Sequence, residues 1–159
     1  PVPKPEQITI YDIAYALAMK CRFNGQCSKF YSVAEHSVHV SRLLPTRLAL
    51  GGLLHDANEA YLPDIPRPVK DLVPQYKRFE HLMEDAIFER FGVDLGIADM
   101  VLIKRADNVM LATEARDLMG DTTGWGLTEI PKKRTLIPMT IEESRLTFLN
   151  EFRKLGGAE

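Results

Sequence analysis

The stretch Leu48-Ala49-Leu50-Gly51-Gly52-Leu53-Leu54-His55-Asp56-Ala57-Asn58-Glu59-Ala60-Tyr61 spreads Leu48, Leu50, Leu53, Leu54 and Ala57 nearly all round a helical wheel. A helix that is apolar on every side is a buried one. The stretch therefore predicts a central helix, capped by Thr46 and running to about Tyr61. Gly51-Gly52 inside it is unfavourable by about 1 kcal/mol per glycine. Close packing of a neighbouring helix at that point would offset the loss. His55-Asp56 then places two polar groups in an apolar setting. A buried carboxylate without a partner is strongly unfavourable, so both residues require company.

Outward from this helix the chain punctuates itself. Upstream, Ser32-Val33-Ala34-Glu35 is a capping box that opens a helix through Leu44, with Pro45 as its stop. Further upstream, Thr9 caps a helix from about Ile10 to Lys20, whose apolar stripe is Ile10, Ile13, Ala14 and Leu17. Three prolines among the first five residues predict an extended arm over residues 1–7. Arg22 to Tyr31, polar and carrying Gly25, reads as a loop. Downstream, three prolines between Leu62 and Pro68 predict a constrained loop and no regular helix. Gln75 to Phe91 is a long amphipathic helix that ends at Gly92 and offers a candidate subunit interface. Another helix runs from Ile97 or Met100 to Met119. Asp121 to Pro138, with Gly124, Gly126, Pro131 and Pro138, is an irregular excursion. Thr140-Ile141-Glu142-Glu143 is a second capping box that starts a last helix through about Lys154. No strand pair or repeat is apparent. The expected architecture is all-α, about six helices around one core, with residues 1–159 forming a single domain.

Composition narrows the function classes. The chain has 159 residues, 45% apolar and 26% charged, as in an ordinary globular protein. Lys plus Arg total 20 and Asp plus Glu 22, a net charge of -2, which argues against a partner as long and anionic as nucleic acid. The longest apolar runs, Ile13–Met19 and Leu48–Leu54, are far short of the about 20 residues that cross a bilayer, so no membrane partner is expected. Cys21 and Cys27 are the two cysteines, too few for a disulfide scaffold. They read as free thiols in a reducing cytoplasm.

His55-Asp56 alone is weak support for a metal site, because a His-Asp pair arises readily by composition. Its neighbours strengthen the case. His36 lies just inside the Ser32-capped helix, and Asp107 lies in the middle of the helix carrying Lys104-Arg105-Ala106-Asp107-Asn108-Val109-Met110-Leu111. Two imidazoles and two carboxylates from three helices can surround one divalent ion, and the carboxylates cancel its charge. Such a set suits Zn, Fe, Mn, Co, Ni or Mg. Coordination positions left to water and a phosphate oxygen would make the ion a Lewis acid.

These segments resemble the HD-domain phosphohydrolase superfamily. The likeness rests on Tyr31-Ser32-Val33-Ala34-Glu35-His36-Ser37, on Leu53-Leu54-His55-Asp56-Ala57-Asn58-Glu59-Ala60 and on Ala106-Asp107, in the H…HD…D order and spacing. It extends to Arg22-Phe23-Asn24-Gly25, to Asp64-Ile65-Pro66-Arg67-Pro68-Val69-Lys70 and to Ala112-Thr113-Glu114-Ala115-Arg116-Asp117-Leu118-Met119, so that it covers about residues 8–119. Within the superfamily the chain looks like the YfbR-type 5'-deoxynucleotidases and the short phage-type, DatZ-like deoxynucleoside triphosphohydrolases. The resemblance implies an HD-domain bundle in which His36, His55, Asp56 and Asp107 bind the metal. It implies Glu59, four residues after His55 and so on the same helix face, as the group that orients or deprotonates the attacking water. It implies Asp64 as acid to the leaving oxygen, Arg22 and Lys70 as phosphate contacts, and Phe23, where the YfbR type has a tryptophan, as a base or sugar contact. A small nucleotide substrate, a dimer or hexamer, and a bacterial or phage-infected host cytosol follow from the same likeness. Two other readings remain: a non-catalytic nucleotide-sensing module, and a phosphodiesterase acting on another phosphate ester. His39 and His81 read as ordinary helix residues. Glu114, Arg116 and Asp117 read as a charge network bracing the site or an interface. Trp125 reads equally as a pocket lid and as a surface residue.

Overall fold

Thr9 accepts a hydrogen bond from the Asp12 amide at 3.1 Å and starts α1 (Ile10–Met19), as its sequence predicts. The structure, a computed structural model, describes residues 2–63, 65, 67–70 and 72–158, without the side chains of Arg67 and Pro68. The further helices are α2 (Val33–Ser41), α3 (Thr46–Leu54), the four-residue α4 (Arg67–Lys70), α5 (Pro74–Phe91), α6 (Ile97–Leu118) and α7 (Ile141–Lys154). The fold is all-α. Among the described residues no strand forms, and the one isolated backbone bridge joins Cys21 to Ser32. No described helix is long and apolar enough to cross a membrane.

Local signals placed most helix ends. At α7 the capping box is complete: Thr140 Oγ1 accepts from the Glu143 amide at 3.2 Å, and Glu143 Oε2 accepts from the Thr140 amide at 2.8 Å. Gly92 ends α5 in the left-handed region, φ 65°. At α2 only half the box forms. Ser32 Oγ accepts from the Glu35 amide, but the Glu35 carboxylate turns away to accept from the Met139 amide at 2.9 Å.

Four expectations need correction. The central helix is α2 rather than α3. Every residue of α2 except His39 is buried, and the helix packs against α1, α3, α6 and α7. Its polar residues Glu35, His36, Ser37 and Ser41 disguise that position in the sequence. Secondly, α3 ends at Leu54 instead of running to Tyr61, and a 3₁₀ turn occupies Ala57–Ala60. Thirdly, the proline-rich segment contains α4, because Pro68 falls in a first turn, where a missing amide is no loss. Fourthly, the apolar stripe of α5 is not available to a partner. Met83, Ala86, Ile87 and Phe91 pack in the protein's own core with Leu17, Leu53 and Phe148. Among the described residues the most exposed apolar helix side chains lie on α6 instead, with Ile97 88% and Val101 63% accessible. In the amino-terminal arm Pro5–Gln7 forms a 3₁₀ turn and Ile8 is buried.

The two central glycines do allow close approach. A Cβ on Gly52 would lie 2.3 Å from Leu44 Cδ1, and one on Gly51 2.9 Å from Leu95 Cδ1. The core closes with Phe91 and Phe152 edge to face, their ring centroids 5.2 Å apart.

Candidate metal centre

α2, the end of α3 and the middle of α6 meet at one point, and each brings a polar group that the core would otherwise reject. His36 on α2 is wholly inaccessible to solvent. Its Nδ1–H donates to Glu114 Oε1 on α6 at 2.6 Å. His55 follows the last turn of α3, and its Nδ1–H donates to the Gly52 carbonyl at 2.8 Å. Both rings are therefore locked in one orientation, with the Nε2 lone pair free. The rings lie 5.3 Å apart, tilted by 48°. Each Nε2 is buried and makes no hydrogen bond within the described structure.

Two carboxylates face these nitrogens. Asp56 Oδ2 lies 3.3 Å from His55 Nε2 and 3.7 Å from His36 Nε2. Asp107 Oδ1 lies 3.2 Å from His36 Nε2. One donor atom each from His36, His55 and Asp56 falls within 4.8 Å of the others. Donors about 2.0–2.2 Å from a common centre have that spread. Buried lone pairs that converge without hydrogen bonds between them are a cation's environment, so the residues fit a divalent ion. Asp107, the fourth expected ligand, faces His36 from α6 but is not one of that group of three, and its other oxygen accepts from Lys104 Nζ at 2.5 Å.

The electrostatics carry the same demand for positive charge. Burial opposes ionisation of Asp56, but His55, then His36 and Arg22, hold its carboxyl far below the usual range. Burial acts likewise on Asp107, and the His36 contact again outweighs it. Burial and Arg22 both disfavour a charged His36. Glu114 and Asp107 prevail and push its pKa up to about 9. His55 is raised too, by Asp56 against burial. Without an ion the cluster draws protons onto its imidazoles instead.

Arg22 joins the two halves of the site. Its Nε and Nη2 donate to Glu114 Oε2 at 3.2 and 3.1 Å, and Nη1 reaches Asp56 Oδ2 at 3.4 Å. Backbone bonds from the Arg22 amide to the Tyr31 carbonyl (2.9 Å) and from the Val33 amide to the Lys20 carbonyl (3.0 Å) tie this loop to the start of α2. Phe23 and Asn24 follow at φ 54° and 51°, a left-handed pair without glycine. Backbone of this kind persists only where its surroundings enforce it, and it clusters at functional sites. The turn forms one wall of a cavity of about 330 Å³, which Arg22, Phe23, Asn24 and Glu59 line. Phe23 also packs against Trp125, with ring centroids 5.9 Å apart. Trp125 is thus a neighbour of the cavity wall while 43% of it stays accessible.

The remaining site expectations divide. Glu59 borders the cavity, but from the 3₁₀ turn, so its helical register with His55 is not the reason. Lys70, expected as a phosphate contact, pairs with Glu80 of α5 at 2.8 Å. Asp64 lies outside the described residues. His81 is exposed and His39 faces Glu35, as expected of helix residues. Glu114 braces His36. Arg116 and Asp117 instead fasten the irregular excursion: Arg116 donates to the Lys132 and Arg134 carbonyls, and Asp117 accepts from the Leu136 amide. The pairing of Glu114 with His36 was missed, although a signal for it exists. Glu114 stands seven residues after Asp107, two turns along one helix face.

Comparison with other proteins adds kinship. No family model matches the chain. It is 37% identical over 130 residues to the uncharacterized protein RCAP_rcc00048 of Rhodobacter capsulatus, covering 74% of this chain and 66% of that protein. It is 42% identical over 155 residues to the uncharacterized protein YfdR of Escherichia coli strain K12, covering 95% of this chain and 86% of YfdR. With that identity maintained over nearly the whole of both proteins, the chain belongs to the YfdR family.

Proposed function

We propose that the chain is a metal-dependent phosphohydrolase of the HD superfamily that acts on small (deoxy)nucleotides. The observation that carries this reading is the convergence of two buried, unsatisfied imidazole nitrogens with Asp56, with Asp107 against His36, beside a cavity lined by Arg22 and Glu59. His36, His55, Asp56 and Asp107 would hold the ion. When bound, it supplies Lewis acidity at a phosphoryl oxygen and acidifies water.

The chain's own groups supply the rest. Glu59 takes a proton from the attacking water at its carboxylate. Arg22 offsets the charge that grows on the phosphoryl oxygens. Among the described residues its Nη1 makes one contact, the long one to Asp56, and is the donor best placed to turn toward substrate. Phe23 offers an aromatic face beside the same cavity. Asp64 is assigned to protonate the leaving oxygen. The products are a nucleoside with phosphate from a monophosphate, or a nucleoside with triphosphate from a triphosphate. A dimer or hexamer and a cytoplasmic setting belong to the same proposal.

The test is a panel of nucleoside mono- and triphosphates with Mn²⁺, Co²⁺, Mg²⁺ and Zn²⁺, the products separated by chromatography. Metal-stimulated phosphate or triphosphate release should disappear in His55→Ala and in Asp56→Ala, with helical circular dichroism retained. Hydrolysis that survives both changes refutes this mechanism. No hydrolysis by the native chain across the panel would replace it with the nucleotide-sensing reading.

A further inference from the structure

A second cavity, also about 330 Å³, opens between α2 and residues 132–139. This size is within the range of small-molecule sites, about 300–1,000 Å³. His39, Arg42, Lys132 and Arg134 line it together with Leu136 and Met139, and none of its lining residues is acidic. The cations differ in how far they are neutralised. Arg42 donates from Nε and Nη2 to Glu151 Oε2 at 3.0 and 2.7 Å. His39 Nε2 faces Glu35 Oε1 at 3.7 Å, a buried carboxylate oxygen without a hydrogen bond. Among the described residues no carboxylate is paired with the side chains of Lys132 or Arg134. Burial and the facing Arg42 charge hold the Lys132 ammonium below its usual pKa, as expected of a cation short of counter-charge.

The backbone that presents these cations is irregular but anchored. The Lys132 amide donates to Thr113 Oγ1 at 2.9 Å, and the Lys132 carbonyl accepts from Arg116 Nη1 at 2.5 Å. The Leu136 amide donates to Asp117 Oδ2 at 2.8 Å, and the Met139 amide to Glu35 Oε2 at 2.9 Å. All four anchors use main-chain atoms, so the side chains remain available to a ligand. A site fixed before the ligand arrives loses little entropy on binding it.

We propose that this cavity is a binding site for a small phosphorylated metabolite, whose phosphate meets Lys132 and Arg134 and whose apolar moiety lies against Leu136 and Met139. Its place on α2 has a consequence. Glu35 touches both His39 and the Met139 amide, and the next residue is His36. A ligand here bears on the helix that carries a candidate metal ligand. The inference does not depend on the hydrolase reading, because binding is measured without turnover.

The test uses the full chain in EDTA, titrated calorimetrically with ADP and with inorganic pyrophosphate. ADP should bind more tightly than pyrophosphate, because only ADP supplies an apolar group. The double variant Lys132→Glu/Arg134→Glu should weaken ADP binding by about tenfold or more, the loss expected when two charge-assisted contacts become repulsive. Lys133→Glu, an exposed change between them that does not line the cavity, controls for bulk charge and should alter affinity by less than about threefold. Lys132→Ala/Arg134→Ala, which adds no new charge, should weaken binding in the same direction. Unchanged ADP binding in both double variants overturns the site. So does a loss in Lys133→Glu as large as that in the Glu double variant. Pyrophosphate binding as tight as ADP overturns the apolar half of the proposal.

Discussion

Glu114→Gln isolates how the chain prepares its metal centre, because it changes one charge and almost no volume. In the native site one carboxylate serves two side chains: Oε1 accepts from His36 Nδ1–H at 2.6 Å, and Oε2 accepts two bonds from Arg22. An amide has one oxygen and cannot do both. If its oxygen serves Arg22, its NH₂ faces His36 Nδ1. The imidazole proton then moves to Nε2, where it points into the metal cluster and blocks coordination. If its oxygen serves His36, two guanidinium donors face an NH₂, and Arg22 loses its stronger partner. Either outcome weakens the centre. Loss of the outer partner of a ligating histidine costs about 10- to 100-fold in metal affinity, which is about 1.4–2.8 kcal/mol. The assay is competition for Mn²⁺ or Zn²⁺ against a chelating dye at pH 7.5, with ¹⁵N chemical shifts of His36 reporting its tautomer. Affinity within about twofold of native, with His36 still protonated on Nδ1, would refute the reasoning.

Three further outcomes follow from the same geometry. In EDTA, and against burial, Glu114 and Asp107 push the pKa of His36 up to about 9 in the folded chain, above the ordinary histidine value of about 6.5, so protonation stabilises the fold. That stabilisation, at most about 3 kcal/mol, is complete below pH 6.5 and lost as pH rises through about 9; thermal melts should show the decline, saturating Zn²⁺ should flatten it, and an equal slope with and without metal would contradict it. Lys104→Ala removes the cation that holds Asp107 Oδ2 and should tighten metal binding about two- to fivefold, whereas weaker binding in the dye assay would mean that Lys104 positions Asp107 productively. Phe152→Ala empties a fully buried core position against Phe91 and should cost about 3–5 kcal/mol in urea denaturation; a loss under about 1 kcal/mol would show that the core can collapse around the gap.

Much of this architecture was legible because helix ends are local events. Thr9, Thr140 and Gly92 act within a turn of their own position, so four consecutive residues suffice to place them. The position of α2 was not legible. Its burial depends on four surrounding helices, and Glu35, His36, Ser37 and Ser41 give it the look of a half-exposed surface helix. The end of α3 at Leu54 was hidden for a related reason. The apolar pattern continues through Ala57, so periodicity could not register that His55 and Asp56 leave the helix to face His36. The candidate ligands themselves could be picked out by type and order. Their partners could not, because Glu114 with His36, Lys104 with Asp107 and Lys70 with Glu80 are choices among several charges that only the tertiary structure resolves.

The candidate ligands differ in how firmly the fold holds them. His36 belongs to the deepest helix, whose amides should exchange with deuterium only through global unfolding. His55 and Asp56 lie just beyond the last turn of α3 and lead into the 3₁₀ turn Ala57–Ala60, whose hydrogen-bond geometry is poorer than that of an α-helix. An ion held between them should therefore leave by a local route, with the 55–63 segment lifting away while His36 stays in place. Its release rate would then follow the opening of that segment rather than the stability of the protein. Removal and return of the ion would be repeatable without denaturation, and proteases would find the chain most vulnerable there in the ion-free interval.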